Sequence, residues 1–444
     1  MINASPEFIT FAMLGLLLVG LMSGYPLAIP VGFAGLLVGL LLYGTDVVGL
    51  FYTRIATLLL SYTLLAVPCF VFMGFILSRS GIADRIYEAL YDMLGGIRGG
   101  LAVATVLIGT VLAACMGIVG ASITLLTIFA LPSMLKRGYS KSLATGSVCA
   151  GGTLGVLIPP SILLVIYGTM ASVSVGKLFF GAVIPGLLLS LSYSIYVLIR
   201  SYLRPNDAPA VPASERTASL TLRLNKLAKA LVPPGILIFS VLGSIFFGIA
   251  PPTEASAIGA FVSILLIAAY RKFSFKVLQE ATLETFRVTG MILLTAVMAY
   301  AFTGIFLGAG CGKVVESFVL SSPLGPWGSF FLIMFIIFLL GFVIDILGII
   351  FIMVPIVAPL VTTLGFDPIW FALMININFQ MAYMTPPFAV AIFYLRGVVA
   401  PELGVTMGDT IRGVVPFVVI IMLVIVLCAV FPDIILWLPG RMIQ

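Results

Sequence analysis

The sequence predicts an all-α polytopic membrane protein built as two inverted repeats of about five transmembrane helices each, with re-entrant helical hairpins and broken helices. Three observations lead there. The chain is 62% hydrophobic and 9% charged, with a mean hydropathy of +1.27 over 444 residues, whereas soluble domains carry roughly 25% charged residues. Its Lys and Arg lie in clusters between apolar spans, the pattern that sets membrane orientation. Two double prolines, Ile158-Pro159-Pro160-Ser161 and Thr385-Pro386-Pro387-Phe388, interrupt otherwise continuous apolar stretches, one in each half. A tandem proline removes two backbone donors and opens a helix. At membrane depth such an opening is tolerated only where it is buried in protein or lines a polar cavity.

The elements follow in order. Residues 8–24 and 26–44 form a hairpin of spans split at Gly24-Tyr25-Pro26, 46–61 is amphipathic, and 63–79 spans again. The charged stretch from Gly81 to Glu88 reads either as a helix on the membrane surface or as an ordinary loop helix. From about 100 to 135 two apolar arms meet at Met116-Gly117-Ile118-Val119-Gly120-Ala121-Ser122, with Arg98 before them and Lys136, Arg137 and Lys141 after. Both outer ends therefore favour one side, so the segment is two crossings or a re-entrant hairpin, and the small-residue tip suits a hairpin whose backbone approaches a ligand. The first broken helix occupies about 141–173, and 177–200 returns to the basic side. Residues 204–230, with Pro205, Pro209, Pro212, Arg204, Arg216, Arg223, Lys226 and Lys229, are expected to be a cytoplasmic linker.

The second half repeats this order. Residues 231–249 and 252–270 form a hairpin ending at Arg271 and Lys272, 283–308 spans, and 311–320 is short and amphipathic. Arms at about 326–340 and 346–362 make a second hairpin around Gly341 to Asp345, followed by the second broken helix at about 368–397 and a last span at about 408–431. The two repeats thus cover 1–203 and 231–444. Gly176, Gly181 and Pro185 are echoed by Gly408, Gly413 and Pro416. With the hairpins counted as non-crossing, each half crosses an odd number of times and the second is inverted, a signature of alternating-access carriers.

Composition excludes several classes. The net charge of +6 is explained by orientation, so no nucleic-acid partner is expected. Histidine is absent and the five cysteines, Cys69, Cys115, Cys149, Cys311 and Cys428, show no CxxC spacing. Zinc motifs and His-paired nucleophiles are therefore missing, and the chain is not expected to be an enzyme or to need a cofactor. The first basic residue is Arg54, which places the amino terminus outside the cytoplasm.

Charges inside the spans are the candidates for chemistry. Asp345 in an apolar region reads as functional or as a helix cap. Glu254 reads as capping a helix that begins at Pro252. Arg287 could snorkel to the interface or reach an anion. Gly155 precedes a break, where carbonyls and hydroxyls could hold Na⁺ without a carboxylate.

The block Gly120-Ala121-Ser122, Leu131-Pro132, Lys136-Arg137-Gly138-Tyr139, Leu143-Ala144-Thr145-Gly146 and Gly151-Gly152-Thr153-Leu154-Gly155 into Ile158-Pro159-Pro160-Ser161 closely resembles the large membrane subunit of TRAP transporters, the DctM-like proteins. So does Pro252-Thr253-Glu254-Ala255 with Thr385-Pro386-Pro387, and the resemblance covers nearly the whole chain. It implies a sodium-driven importer of the bacterial inner membrane, working by an elevator movement of a transport domain against a scaffold. It also implies a small DctQ-like membrane subunit and a periplasmic substrate-binding protein that delivers a small organic anion. Carried onto matching positions, one sodium site would use Gly120, Ser122, Gly155, Ile158 and Pro159, and a second Gly341, Ala382, Thr385 and Phe388. Ser122, Ser161, Asp345 and Arg287 are the substrate-contact candidates. The tip here reads Val119-Gly120-Ala121-Ser122 where relatives commonly show Ser-Gly-Ser-Ser, so one ligand would come from backbone or water. Substrates consistent with this branch are 2-oxo acids, C4-dicarboxylates, small sulfonates and sugar acids. A stand-alone anion carrier or exporter of related fold is the alternative. Both termini are expected on the periplasmic side.

Overall fold

The computed structural model describes residues 4–212, 219–321, 325–387 and 389–442. The described residues are helical, without strands. Proline, capping side chains and glycines mark where each helix begins and ends.

The first half comprises α1 (Pro6–Met22), α2 (Ala28–Tyr43), α3 (Val47–Leu59), α4 (Ala66–Ser78), α5 (Ile82–Leu94), the hairpin α6 (Gly100–Met116) and α7 (Val119–Lys136), the broken pair α8 (Lys141–Thr153) and α9 (Ile162–Ala171), and α10 (Val175–Leu203). The second comprises α11 (Leu220–Ile238), continued through a π-helical turn at Phe239–Gly243 into α12 (Ser244–Phe246), then α13 (Pro252–Ala269), α14 (Phe275–Gly308), α15 (Cys311–Leu320), the hairpin α16 (Gly325–Leu340) and α17 (Ile346–Thr363), the broken pair α18 (Pro368–Met384) and α19 (Val390–Val398), α20 (Met407–Val430) and α21 (Asp433–Leu436). The expected element order is therefore present twice.

Among the described residues, eight helices are long and apolar enough to cross a membrane, and α4 with its preceding turn is bent by 59° from α5. The eight include α7 and α17, because at 18 residues each they are about 27 Å long, close to a bilayer core. Length alone does not separate a hairpin arm from a crossing. The protein is a multi-pass membrane protein on this count.

Packing groups most helices into two sets, or bodies, that also touch each other, through α14 on α17 and α4 on α6. In the outer one α14 lies against α2, α3 and α4, and α13 against α4. In the inner one α8 is surrounded by α6, α7 and α20, and α10 packs on α6, α18 and α20. Contacts exchange between the halves: the return arm α7 packs on α19, and α17 on α9. Each hairpin thus leans on the far limb of the other half's broken helix.

Two expectations are corrected. The linker ends at Ser219, not near 230, because Ser219 Oγ accepts from Leu222 N at 3.3 Å and starts α11 at Leu220. Leu220, Leu224 and Leu227 share one face, with Lys226 and Lys229 on the other, so a run dense in Arg and Lys folds as the foot of a span. Nor is the described part of the linker a solvated strand. Ser140 N donates to Asp207 O at 2.8 Å, Gly99 N to Ala208 O at 3.1 Å and Val211 N to Gly95 O at 2.8 Å, while Arg200 pairs with Asp207 at 3.1 Å. Arg216 lies outside the described residues. Helix α5 buries Ile82, Ala83, Ile86, Ala89 and Leu90 and packs against α6 and α11, so protein covers its apolar face. Lys226 of α11 ties it down through Asp92 at 2.8 Å. All five cysteines are free thiols, four of them buried.

Candidate functional site: two broken helices under two hairpin tips

The first break begins where α8, capped by Ser140, tightens into a 3-10 turn at Leu154–Val156. Leu154 O accepts from both Leu157 N and Ile158 N, at 3.0 and 2.9 Å. Pro159-Pro160, joined by a cis bond, then supplies no donor, and Ser161 Oγ donates to Val156 O at 2.8 Å. Residues 143 through 168 are buried. At the second break α18 starts on the Asp367 cap and ends at Thr385, whose Oγ1 donates to Met381 O at 2.8 Å, and a cis Pro386-Pro387 separates it from α19. Phe388, expected among the second set of ligands, lies outside the described residues.

The hairpin tips are seated on these breaks by glycines that leave no room for a side chain. Gly117, at φ 60°, ends α6, and a Cβ there would stand 2.9 Å from Pro160 O. A Cβ on Gly120 would stand 2.7 Å from the Tyr394 ring of α19. A Cβ on Gly341 would stand 2.5 Å from Ala382 Cβ, so these two predicted partners do meet. A Cβ on Gly155, by contrast, would meet nothing closer than Ala113 Cα at 3.8 Å, so this glycine is not held by close packing. Ser122 is buried and its Oγ donates to Ile118 O at 3.3 Å. The amino ends of α7, α9, α17 and α19 all belong to these tips and breaks. Those of α7, α9 and α19 have no side-chain cap, so their N–H groups and dipoles favour an anion, while at α17 the Asp345 carboxylate already takes that place.

The charged candidates separate. Asp345 caps α17, accepting from Leu347 N at 3.3 Å, and its carboxylate lies within electrostatic reach of Tyr383 and Tyr394. Cap and site proximity therefore coexist. Asn is as good a cap as Asp, so Asp345→Asn removes charge alone. Uptake falling several-fold with unchanged thermal stability is the expected result, and wild-type uptake would leave Asp345 a cap only. Arg287, by contrast, is not brought to the breaks. Its guanidinium is 73% exposed and pairs with Glu284 at 2.9 Å on its own helix, as a snorkelling side chain does. Glu254 sits in the first turn of α13 and accepts from the Tyr62 hydroxyl at 3.2 Å.

Sequence reasoning passed over three buried oxygens and one cation. Ser147 Oγ on α8, and Asn376 Oδ1 and Gln380 Oε1 on α18, are fully buried without a hydrogen-bond partner. Gln380 is oriented by Nε2 donating to the Tyr193 hydroxyl at 3.2 Å. Buried acceptors of this kind require water or an ion. Asn376 and Gln380 stand four apart, one face of a helix, which is the signal that could have found them. Arg54 of α3 lines a cavity of about 360 Å³ with Tyr300 and Gly304 of α14, Ser172 at the end of α9 and Pro355 and Pro359 of α17. It is a cation in the crevice between the two bodies.

Paired broken helices, hairpin tips seated on them and a crevice between two helical bodies define a secondary membrane transporter. The chain matches the family described as "Tripartite ATP-independent periplasmic transporter, DctM component" over residues 14–434, and it belongs to that family as a large permease subunit. It is 32% identical over 381 residues to the C4-dicarboxylate TRAP transporter large permease protein DctM of Pseudomonas aeruginosa, covering 85% of this chain and 86% of that one. The protein of the same description from Vibrio cholerae is 30% identical over 450 residues, covering 96% and 97%. Among solved structures, the YdaH transporter of Alcanivorax borkumensis superposes with a TM-score of 0.60 at 16% identity over 89% of each chain. That likeness concerns the fold. These relatives are transporter subunits, and the family is not enzymatic.

Proposed function

We propose that this chain is the large permease subunit of a Na⁺-coupled system importing a small organic anion, delivered by a periplasmic binding protein and admitted with the help of a small membrane subunit. The family is tripartite by its description, which implies both partners. The observation that carries the reading is the meeting of hairpin tips and broken helices, Gly117 on Pro160 O and Gly341 on Ala382. Three uncapped helix amino ends there suit a carboxylate or sulfonate, and carbonyls freed by the prolines, with the Ser and Thr hydroxyls beside them, suit Na⁺. Gly120, Ser122, Gly155, Ile158 and Pro159 are the proposed first sodium set, with Gly341, Ala382 and Thr385 in the second. Ser122, Ser161 and Asp345 are the proposed substrate neighbours.

The two bodies support an elevator movement, with α6–α10 and α16–α20 carrying the site past α1–α4 and α11–α14. The hairpins would be re-entrant and the halves inverted, with the chain in a bacterial inner membrane and both termini periplasmic. In intact cells, tags at both termini should then react with an impermeant label while one near Arg204 is protected. The opposite pattern would reverse the orientation.

Substrate is proposed only as a class. Similar permease proteins are named for ectoine and 5-hydroxyectoine, isethionate and sialic acid as well as C4-dicarboxylates, so the binding protein would do much of the selecting. The deciding experiment is uptake into proteoliposomes holding the chain and its small partner, with binding protein outside, across labelled 2-oxo acids, C4-dicarboxylates and sulfonates. Accumulation should require both a Na⁺ gradient and the binding protein. Uptake without the binding protein would instead make it a stand-alone carrier.

A further inference from the structure

Away from the breaks, α8, α10 and α20 enclose a cavity of about 500 Å³ lined by Ser142, Tyr196, Arg200, Arg204, Arg412 and Pro416, with Ile199 and Leu203 at its edge. Arg200 is its fixed wall: it donates to the Tyr196 hydroxyl at 3.0 Å, to Ser142 Oγ at 3.0 Å and to Asp207 Oδ2 at 3.1 Å. Asp207 neutralises that guanidinium. Arg204 and Arg412 are exposed, and neither has a carboxylate within ion-pair distance among the described residues. Asp409, one turn before Arg412, is occupied by the capping box with Thr406. Arg204 and Arg412 therefore stand at the cavity outside any ion pair among the described residues, with the Asp409 carboxylate in electrostatic reach of Arg412 only.

The surface leading from it is apolar. Leu187, Leu191, Ile195, Ile199 and Leu203 are all exposed at four-residue spacing, a stripe running down α10 from the arginines. Val415, Val419, Leu423 and Val426 are exposed on the adjoining α20. A soluble anion has no use for such a stripe. A basic pocket between helices at the membrane interface, opening onto a lipid-facing groove, matches a headgroup phosphate above acyl chains.

We propose that this corner is a binding site for an anionic phospholipid, its phosphate held by Arg204 and Arg412 and its acyl chains lying along the α10 and α20 stripes. All the walls come from the inner body, so the lipid would bind one rigid corner and not bridge the two bodies.

The test is native mass spectrometry of the intact permease complex titrated with phosphatidylglycerol or phosphatidylcholine of matched chains, with and without millimolar inorganic phosphate. The Arg204→Gln/Arg412→Gln variant should bind phosphatidylglycerol roughly thirty-fold more weakly, each basic side chain at an anionic surface counting for about a factor of five. Its binding of phosphatidylcholine, whose choline cation offsets the same phosphate, should fall much less, and an Arg98→Gln/Lys136→Gln variant should match wild type. Equal binding by both arginine forms, equal loss for both lipids, or displacement of phosphatidylglycerol by phosphate would overturn the proposal. So would loss of the small subunit from the variant complex, which would make the corner a protein contact.

Discussion

Replacing Pro159 and Pro160 together by alanine is expected to raise the Na⁺ concentration for half-maximal uptake several-fold, up to about tenfold, while the protein still folds. The physical reason lies in which carbonyls the prolines leave alone. A helix continued through this segment would direct the amide of residue 159 to Gly155 O and that of residue 160 to Val156 O. Proline supplies neither. Val156 O is met by the Ser161 hydroxyl at 2.8 Å, and Ile158 N turns to Leu154 O instead, which leaves Gly155 O without that amide. Alanine at 159 returns an N–H to Gly155 O, one of the proposed sodium ligands. A neutral backbone hydrogen bond nets about 0.5–1.5 kcal/mol, which corresponds to roughly two- to tenfold in Na⁺ affinity. The matching change at Pro386 and Pro387 addresses Ala382 O and Tyr383 O and should act on the second ion. An unchanged Na⁺ titration for the first pair, in a variant of normal stability, would remove the site from that break.

The breaks were legible because tandem prolines in an apolar run have few physical explanations. The same holds for the hairpin tips, where small residues separate two apolar arms, and for the cap at Asp345, whereas the Ser219 cap was missed. What the sequence hid was pairing across the halves. Nothing in Gly120 or in Tyr394 announces that one lies under the other, and the exchange of α7 onto α19 and α17 onto α9 depends on segments far apart in the chain. The foot of α11 was misread because its basic residues outweighed a leucine pattern that the fold uses. Of the two readings of Arg287 the exposed side chain fits snorkelling: a long side chain near a helix end finds water and Glu284 before it finds a site. Gln380 and Asn376 went unweighed as ligands because polarity within α18 was read only as part of the region around the second break. Their unpaired oxygens appear only once burial is known.

A large loss of stability is expected at Gly146 and Gly413, where α8 and α20 cross. A Cβ on Gly146 would collide with the Gly413 carbonyl oxygen and stand 2.6 Å from its carbon and 2.9 Å from the Phe417 ring. A Cβ on Gly413 would collide with Ser142 O and stand 3.0 Å from Gly146 N and Thr145 Oγ1. Most of these neighbours are backbone atoms, so no rotamer change relieves the overlap, and the helices must separate. Overpacking costs about 1–3 kcal/mol even where side chains can yield, so Gly146→Val is expected to exceed that range and to yield little folded protein. Gly146→Ala and Gly413→Ala should each lower the melting temperature clearly. Gly290→Ala, on an exposed face with nothing within 4 Å, should be neutral or slightly stabilising. The two damaging changes press on one contact: once the helices have moved apart for the first methyl, the second meets space already opened. The double variant should therefore lose less than the sum of the singles, as read by thermal denaturation of the purified complex. Full additivity would mean that the crossing is not where the inner body is held together, and that each glycine serves only its own helix.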